Sequence, residues 1–119
     1  MRYLALIYVE EPDPATLPPG TWEEMMAKYD AFGAEATEAG VIRGGEALQS
    51  SDTATTIRVR DGQRLTTDGP FAETREQLGG FYLLDCADLD EAIAWASRIP
   101  GASLGTVELR PIIEIARGG

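Results

Sequence analysis

Two stretches of this sequence follow one order: an apolar strand, a capped amphipathic helix and a second strand. Residues 2–9 carry apolar side chains on both faces, with Tyr3, Ala5, Ile7 and Val9 alternating with Leu4, Leu6 and Tyr8. A strand that is apolar on both sides belongs in the middle of a sheet. A loop with four prolines (Pro12, Pro14, Pro18 and Pro19) follows, and then Thr21 and Glu24 stand at capping-box spacing. Trp22, Met25, Met26, Tyr29, Phe32 and Ala36 fall on one helical face, and Gly40 supplies a left-handed stop. That spacing reads as a helix packed on a sheet rather than as a ligand face. Residues 41–49 begin the next strand, where Gly44-Gly45 marks a bulge or a close backbone approach.

The second round repeats the first. Residues 81–86 form a strand, and Asp88 with Glu91 repeats the helix-starting spacing. Leu89, Ala92, Ile93, Ala96 and Ile99 make the buried helical face, and Pro100-Gly101 ends it. The last strand is residues 106–110, running on to Ile115, and residues 115–119 are expected to fray. Between the rounds, residues 53–60 and 63–67 are joined by Asp61-Gly62, a tight-hairpin signal. The fold class is therefore α+β: a ferredoxin-like βαββαβ sandwich with an inserted β-hairpin and both helices on one face of an antiparallel sheet. The other face keeps apolar positions, and a homodimer closing two sheets into a barrel would cover them.

Composition narrows the function classes. The 119 residues, at 12.8 kDa, suit one domain over 1–119. A net charge of −10 is repelled by phosphate backbones, so no nucleic-acid partner is expected. No apolar run approaches the roughly 20 residues that span a bilayer, so no membrane partner is expected either. The apolar start meets Glu10-Glu11 without a cleavage site and reads as a strand, which makes the cytoplasm the expected location. The chain has no histidine, which removes Ser-His and Cys-His nucleophile systems and most zinc sites. Cys86 is the only cysteine, so no intramolecular disulfide can form, and its place at a strand end suits a buried thiol. With no phosphate loop or dinucleotide fingerprint, neither a metal nor a cofactor is expected.

The densest run of turn residues and charges is Asp68-Gly69-Pro70-Phe71-Ala72-Glu73-Thr74-Arg75-Glu76-Gln77-Leu78-Gly79-Gly80. Together with Gly45-Glu46-Ala47-Leu48, residues 53–58, residues 91–96 and Val107-Glu108-Leu109-Arg110-Pro111, it resembles the YCII-related (YciI-like) family, in the branch named for its DGPF motif. The resemblance covers nearly the whole chain. It implies a dimeric α+β barrel of ferredoxin-like protomers and a largely uncharacterised function. Enzymatic work in related proteins is tied to a His-Asp pair, which a chain without histidine lacks. The resemblance also implies an association with extracytoplasmic-function sigma factors, and so an accessory role in transcriptional regulation.

Six residues are candidates for chemistry. Asp68 ends a strand before the rigid Gly69-Pro70 turn; it could act as a general acid or base, or accept turn hydrogen bonds from Phe71 or Ala72. Glu46, beside the double glycine, could couple to Asp68 or stand in water as an edge-strand residue. Arg58 and Arg110 could clamp a small anion, although Arg110 lies two residues from Glu108 on one strand face, as in a salt-bridge ladder. Tyr8 and Tyr82 could orient a ligand or pack in the core. Residues 73–76 read as a short helix, with Thr74 and Gln77 at capping-box spacing. The expected function is binding of a small, anionic ligand between sheet and helices, beside the accessory role. An isomerase, lyase or dehalogenase using Asp68 or Glu46, and a sigma-factor scaffold without a ligand, are the alternatives.

Overall fold

The computed structural model describes residues 1–13 and 15–115. The chain runs β1 (Arg2–Val9), α1 (Thr21–Glu38), β2 (Ile42–Ala47), a 3-10 turn (Ser51–Thr53), β3 (Thr55–Arg60), β4 (Gln63–Asp68), β5 (Gln77–Asp85), α2 (Leu89–Ala96), α3 (Gly101–Leu104) and β6 (Thr106–Pro111). Four strands pair antiparallel in the order β2-β5-β1-β6, while β3 and β4 form a separate two-stranded sheet. This α+β arrangement is consistent with a ferredoxin-like fold. The strand that is apolar on both faces, β1, is central, as its pattern requires.

Alternation along the strands sorts the two faces. Tyr3, Ala5 and Ile7 of β1 and Leu84 of β5 are buried in one cluster with Phe32 and Ala36 of α1, Ala92 and Ala96 of α2, and Ile99. Tyr82 joins the edge of this cluster, its ring 5.2 Å from that of Phe32, and Trp95 stacks edge-on to Phe32 at 6.4 Å. The guanidinium of Arg98 lies 4.5 Å over Trp95 and pairs with Glu35, tying the end of α2 to α1.

Local chemistry departs from the sequence expectation in three places. Gly20, at φ 85, is the N-cap of α1, and the Thr21 hydroxyl instead donates to the Pro18 carbonyl at 2.8 Å. The turn before the helix has already placed the backbone, so the hydroxyl serves the loop. Asp88 caps α2 as expected, accepting from the Glu91 amide at 2.9 Å. After α2 the chain makes one further short helix, α3, that the Pro100-Gly101 stop did not predict. Third, residues 73–76 form no helix: Thr74 donates to the Glu76 carbonyl, Gln77 donates back to that of Thr74, and β5 starts at Gln77.

Gly79 and Gly80 therefore lie inside a strand. A Cβ on Gly80 would sit 2.8 Å from the Glu46 carbonyl oxygen, so a side chain here would push β2 away from β5. Gly80→Ala is expected to lower the unfolding free energy by about 1–3 kcal/mol in urea denaturation, against the small gain that alanine would bring to a free strand. Asp61 and Gly62 have φ of 51° and 74°, the two left-handed positions of a type I′ turn, as their dipeptide predicts. Of the expected fraying at 115–119, residues 116–119 lie outside the described residues. Just before them, Arg2 donates through Nε and Nη2 to the two carboxylate oxygens of Glu114, each at 2.9 Å.

Cys86 is buried, as its strand-end place suggested. Burial, and then the neighbouring Glu91, push its thiol above the usual 9.0. Burial likewise raises the phenols of Tyr82 and Tyr29 above 10.0. For an acid whose folded pKa is raised, the unfolded chain gives up its proton first, so stability is intact below the unfolded pKa and falls as pH rises past it. Urea midpoints are thus expected to hold steady from pH 7 to 8 and to decline above about pH 9, together with loss of thiol shielding against a disulfide reagent. A midpoint that rises between pH 9 and 11 would contradict the burial of these three groups.

Candidate functional site

The face of the sheet away from the helices is laid out in rows by strand register. Glu46 of β2, Phe81 of β5, Leu6 of β1 and Glu108 of β6 lie directly opposite one another, and make one row across all four strands. Gly44, Leu83, Leu4 and Arg110 make the next row, and Leu78, Tyr8 and Thr106 a third. The middle of the face is therefore leucine and phenylalanine, half-buried, while acids and an arginine stand on the two edge strands. With strands about 4.8 Å apart, Glu46 and Glu108 are separated by about 14 Å at the backbone, too far for their carboxylates to share a proton.

The polar side chains are joined on the β6 edge. The Tyr8 hydroxyl donates to Glu108 Oε1 at 3.5 Å, and Arg110 Nε donates to Glu108 Oε2 at 3.2 Å. The side chains of Arg110 and Glu108 are 70% and 40% exposed, and an ion pair so open contributes on the order of 1 kcal/mol or less to stability. One row further, Thr106 donates to Glu76 at 2.9 Å, so the acid-rich stretch before β5 is fastened to this same edge. What results is an apolar floor, a phenol, a carboxylate and a guanidinium along one border. Such a border can hold the charged end of a small molecule while the floor takes its apolar part.

Of the six sequence candidates, Tyr8 and Arg110 are brought together on this face, with Glu46 across from them on the opposite edge strand. Tyr82 points the other way, into the helix side. Asp68 and Arg58 belong to the separate β3–β4 sheet, and both are exposed. The turn after Asp68 is closed by backbone: the Gly69 amide donates to the Ala54 carbonyl and Thr56 Oγ1 to the Gly69 carbonyl, both at 2.7 Å. The expected bonds from Phe71 or Ala72 to the Asp68 carboxylate do not occur among the described residues, because pairing of β3 with β4 already holds the turn. Among the described residues no group of three or more acidic or sulfur side chains could hold a metal.

Sequence reading ranked Glu108 only as the partner of Arg110. The signal that singles it out is register: it shares a row with Leu6, and no one-dimensional pattern gives the register between β1 and β6. Two grooves of the protomer lie elsewhere. A groove of about 360 Å³ between α1 and α3 is lined by Lys28, Phe32, Glu35, Arg98 and Leu104, and one of about 450 Å³ runs beside α2 and β6. None of the six candidates lines either groove.

These features define a class: an α+β domain with helices on one side of an antiparallel sheet and an amphipathic open face on the other. Among the described residues no helix is long and apolar enough to cross a membrane. The model of the YCII-related domain matches residues 1–116, and the chain belongs to that family. It is also similar to an uncharacterised protein of Rhizobium meliloti (strain 1021), 39% identical over 114 residues, which takes in 94% of this chain and 92% of that protein.

Proposed function

We propose that this YCII-related domain binds a small amphipathic anion on the open face of its sheet, and that a second copy covers the site by packing its own open face on top. The observation that carries this reading is the bonded string Tyr8–Glu108–Arg110 along one border of an apolar floor. The floor of Leu4, Leu6, Phe81 and Leu83 would take the apolar body of the ligand, and Arg110 with the Tyr8 hydroxyl its charged end. The volume between sheet and helices is a less favourable place, since Tyr3, Leu84 and Ile99 fill it almost without exposure. The proton-transfer reading has less support, because Asp68 and Glu46 stand on separate sheets and both face water.

Benzoate, an aromatic carboxylate, is a fitting probe. In amide and methyl NMR it should shift Leu6, Tyr8, Phe81 and Arg110 saturably, and Arg110→Ala should weaken binding about tenfold or more, the effect of one charge-assisted hydrogen bond. Shifts confined to Lys28 and Arg98 in the α1–α3 groove, or unchanged affinity in Arg110→Ala, would overturn the site.

A further inference from the structure

Strands β3 and β4 form an arm that finds little cover in its own chain. All six residues of β4 are exposed, and in β3 only Thr56 is half-buried. A hairpin of two strands is marginally stable by itself in water. This one nevertheless carries Ile57, Val59 and Leu65 at 61%, 60% and 50% exposure, and Phe71 just past its root is 81% exposed. Ile57 and Val59 share one face of the arm with Thr66 and Arg64, which lie directly opposite them. The Cα radius of gyration is 16.7 Å, against about 13.5 Å for a compact domain of this length, and a projecting arm adds such a difference.

Charge and area both point to what covers it. The arm, residues 55–68, holds three arginines, Arg58, Arg60 and Arg64, against two acids, Asp61 and Asp68, in a chain whose net charge is −10. The arm is the basic part of an acidic molecule, so the surface it complements is this protein's own, where Glu46 and Glu108 mark the two rims of the open face. Four strands about 4.8 Å apart and some six residues long at about 3.3 Å each give a face of about 400 Å². A standard interface buries about 800 Å² per partner, so the sheet face alone falls short of a stable dimer.

We propose that the arm is an intermolecular clasp. In the dimer described above, on which this inference rests, each copy lays the Ile57–Val59 face of its arm on the rim of the partner's open face. Arg64, on that same face, meets the carboxylates there, and Phe71 packs at the seam beside the arm's root. The exchange is reciprocal and closes about a two-fold axis, so neither copy keeps an uncovered arm to add further molecules.

The test compares wild type, the double variant I57D/V59D and Arg64→Glu by light scattering and sedimentation equilibrium. All three positions are exposed in the protomer, so each variant should keep its circular dichroism; Arg64→Glu stands alone as the test if the double variant does not fold. The expected result is a dimeric wild type, with a dissociation constant raised at least 100-fold in I57D/V59D and about tenfold in Arg64→Glu. Isotope-filtered NOEs in a mixed-label dimer should join the Ile57 and Val59 methyls to residues beside Glu46 or Glu108 of the other copy. A dimer that keeps its wild-type constant in the variants and lacks those NOEs overturns the clasp alone and leaves the covered sheet face standing. A monomeric wild type overturns both, and leaves the arm for a different protein.

Discussion

Leu84→Ala is expected to lower the unfolding free energy by about 3 kcal/mol, within the range for emptying a buried leucine site, and the melting temperature on the order of 10 °C. Leu84 is fully buried, opposite Tyr3 on one neighbouring strand and Ile42 on the other. Because β5 is hydrogen-bonded on both sides, it cannot slide in to fill the cavity, and the helices above are held by Phe32, Ala92 and Ala96 in the same cluster. Leu83→Ala is the matched control. Its side chain lies on the open face, so truncation should cost the isolated protomer much less, roughly 1 kcal/mol for a half-buried site. Urea denaturation of the two variants at low protein concentration separates the faces, and equal losses would contradict the division of the sheet.

The largest expected effect is on assembly, from Leu6→Arg. Leu6 sits at the centre of the open face, between Phe81 and Glu108 in its row, and points away from the helix core that Ala5 and Ile7 enter. In a lone protomer the new guanidinium is in water, with an acidic side chain beside it, and the fold should persist. In a dimer closed across this face, a two-fold axis would bury two arginines against apolar partners. Burying unpaired charge costs several kcal/mol, and about 4 kcal/mol raises a dissociation constant about a thousandfold. Benzoate binding should fall with it, since floor and cover are lost together.

The sheet was legible in the sequence because its signals are local. The two-faced apolar run at residues 2–9, the Asp88 cap and the Asp61-Gly62 turn each depend on residues within a few positions, and the structure has them as read. The stretch from Asp68 to Gly80 misled in one respect: Thr74 and Gln77 have the spacing of a helix start, but their side chains bond to nearby carbonyls instead. Gly80 in that stretch lies within β5, where a Cβ would press on the Glu46 carbonyl of β2. The candidate site was less legible. Which residues share a row depends on pairing between strands some hundred residues apart, as for Tyr8 with Glu108. Asp68 drew attention through its rigid turn, yet that rigidity serves the base of the arm.

Sedimentation equilibrium on the wild type and Leu6→Arg, side by side at micromolar concentration, bears most directly on whether the open sheet face is this protein's working surface. The account predicts a wild-type mass of twice 12.8 kDa and a folded Leu6→Arg of 12.8 kDa. A wild type that sediments as a monomer, or a Leu6→Arg that remains a dimer of unchanged affinity, would contradict it.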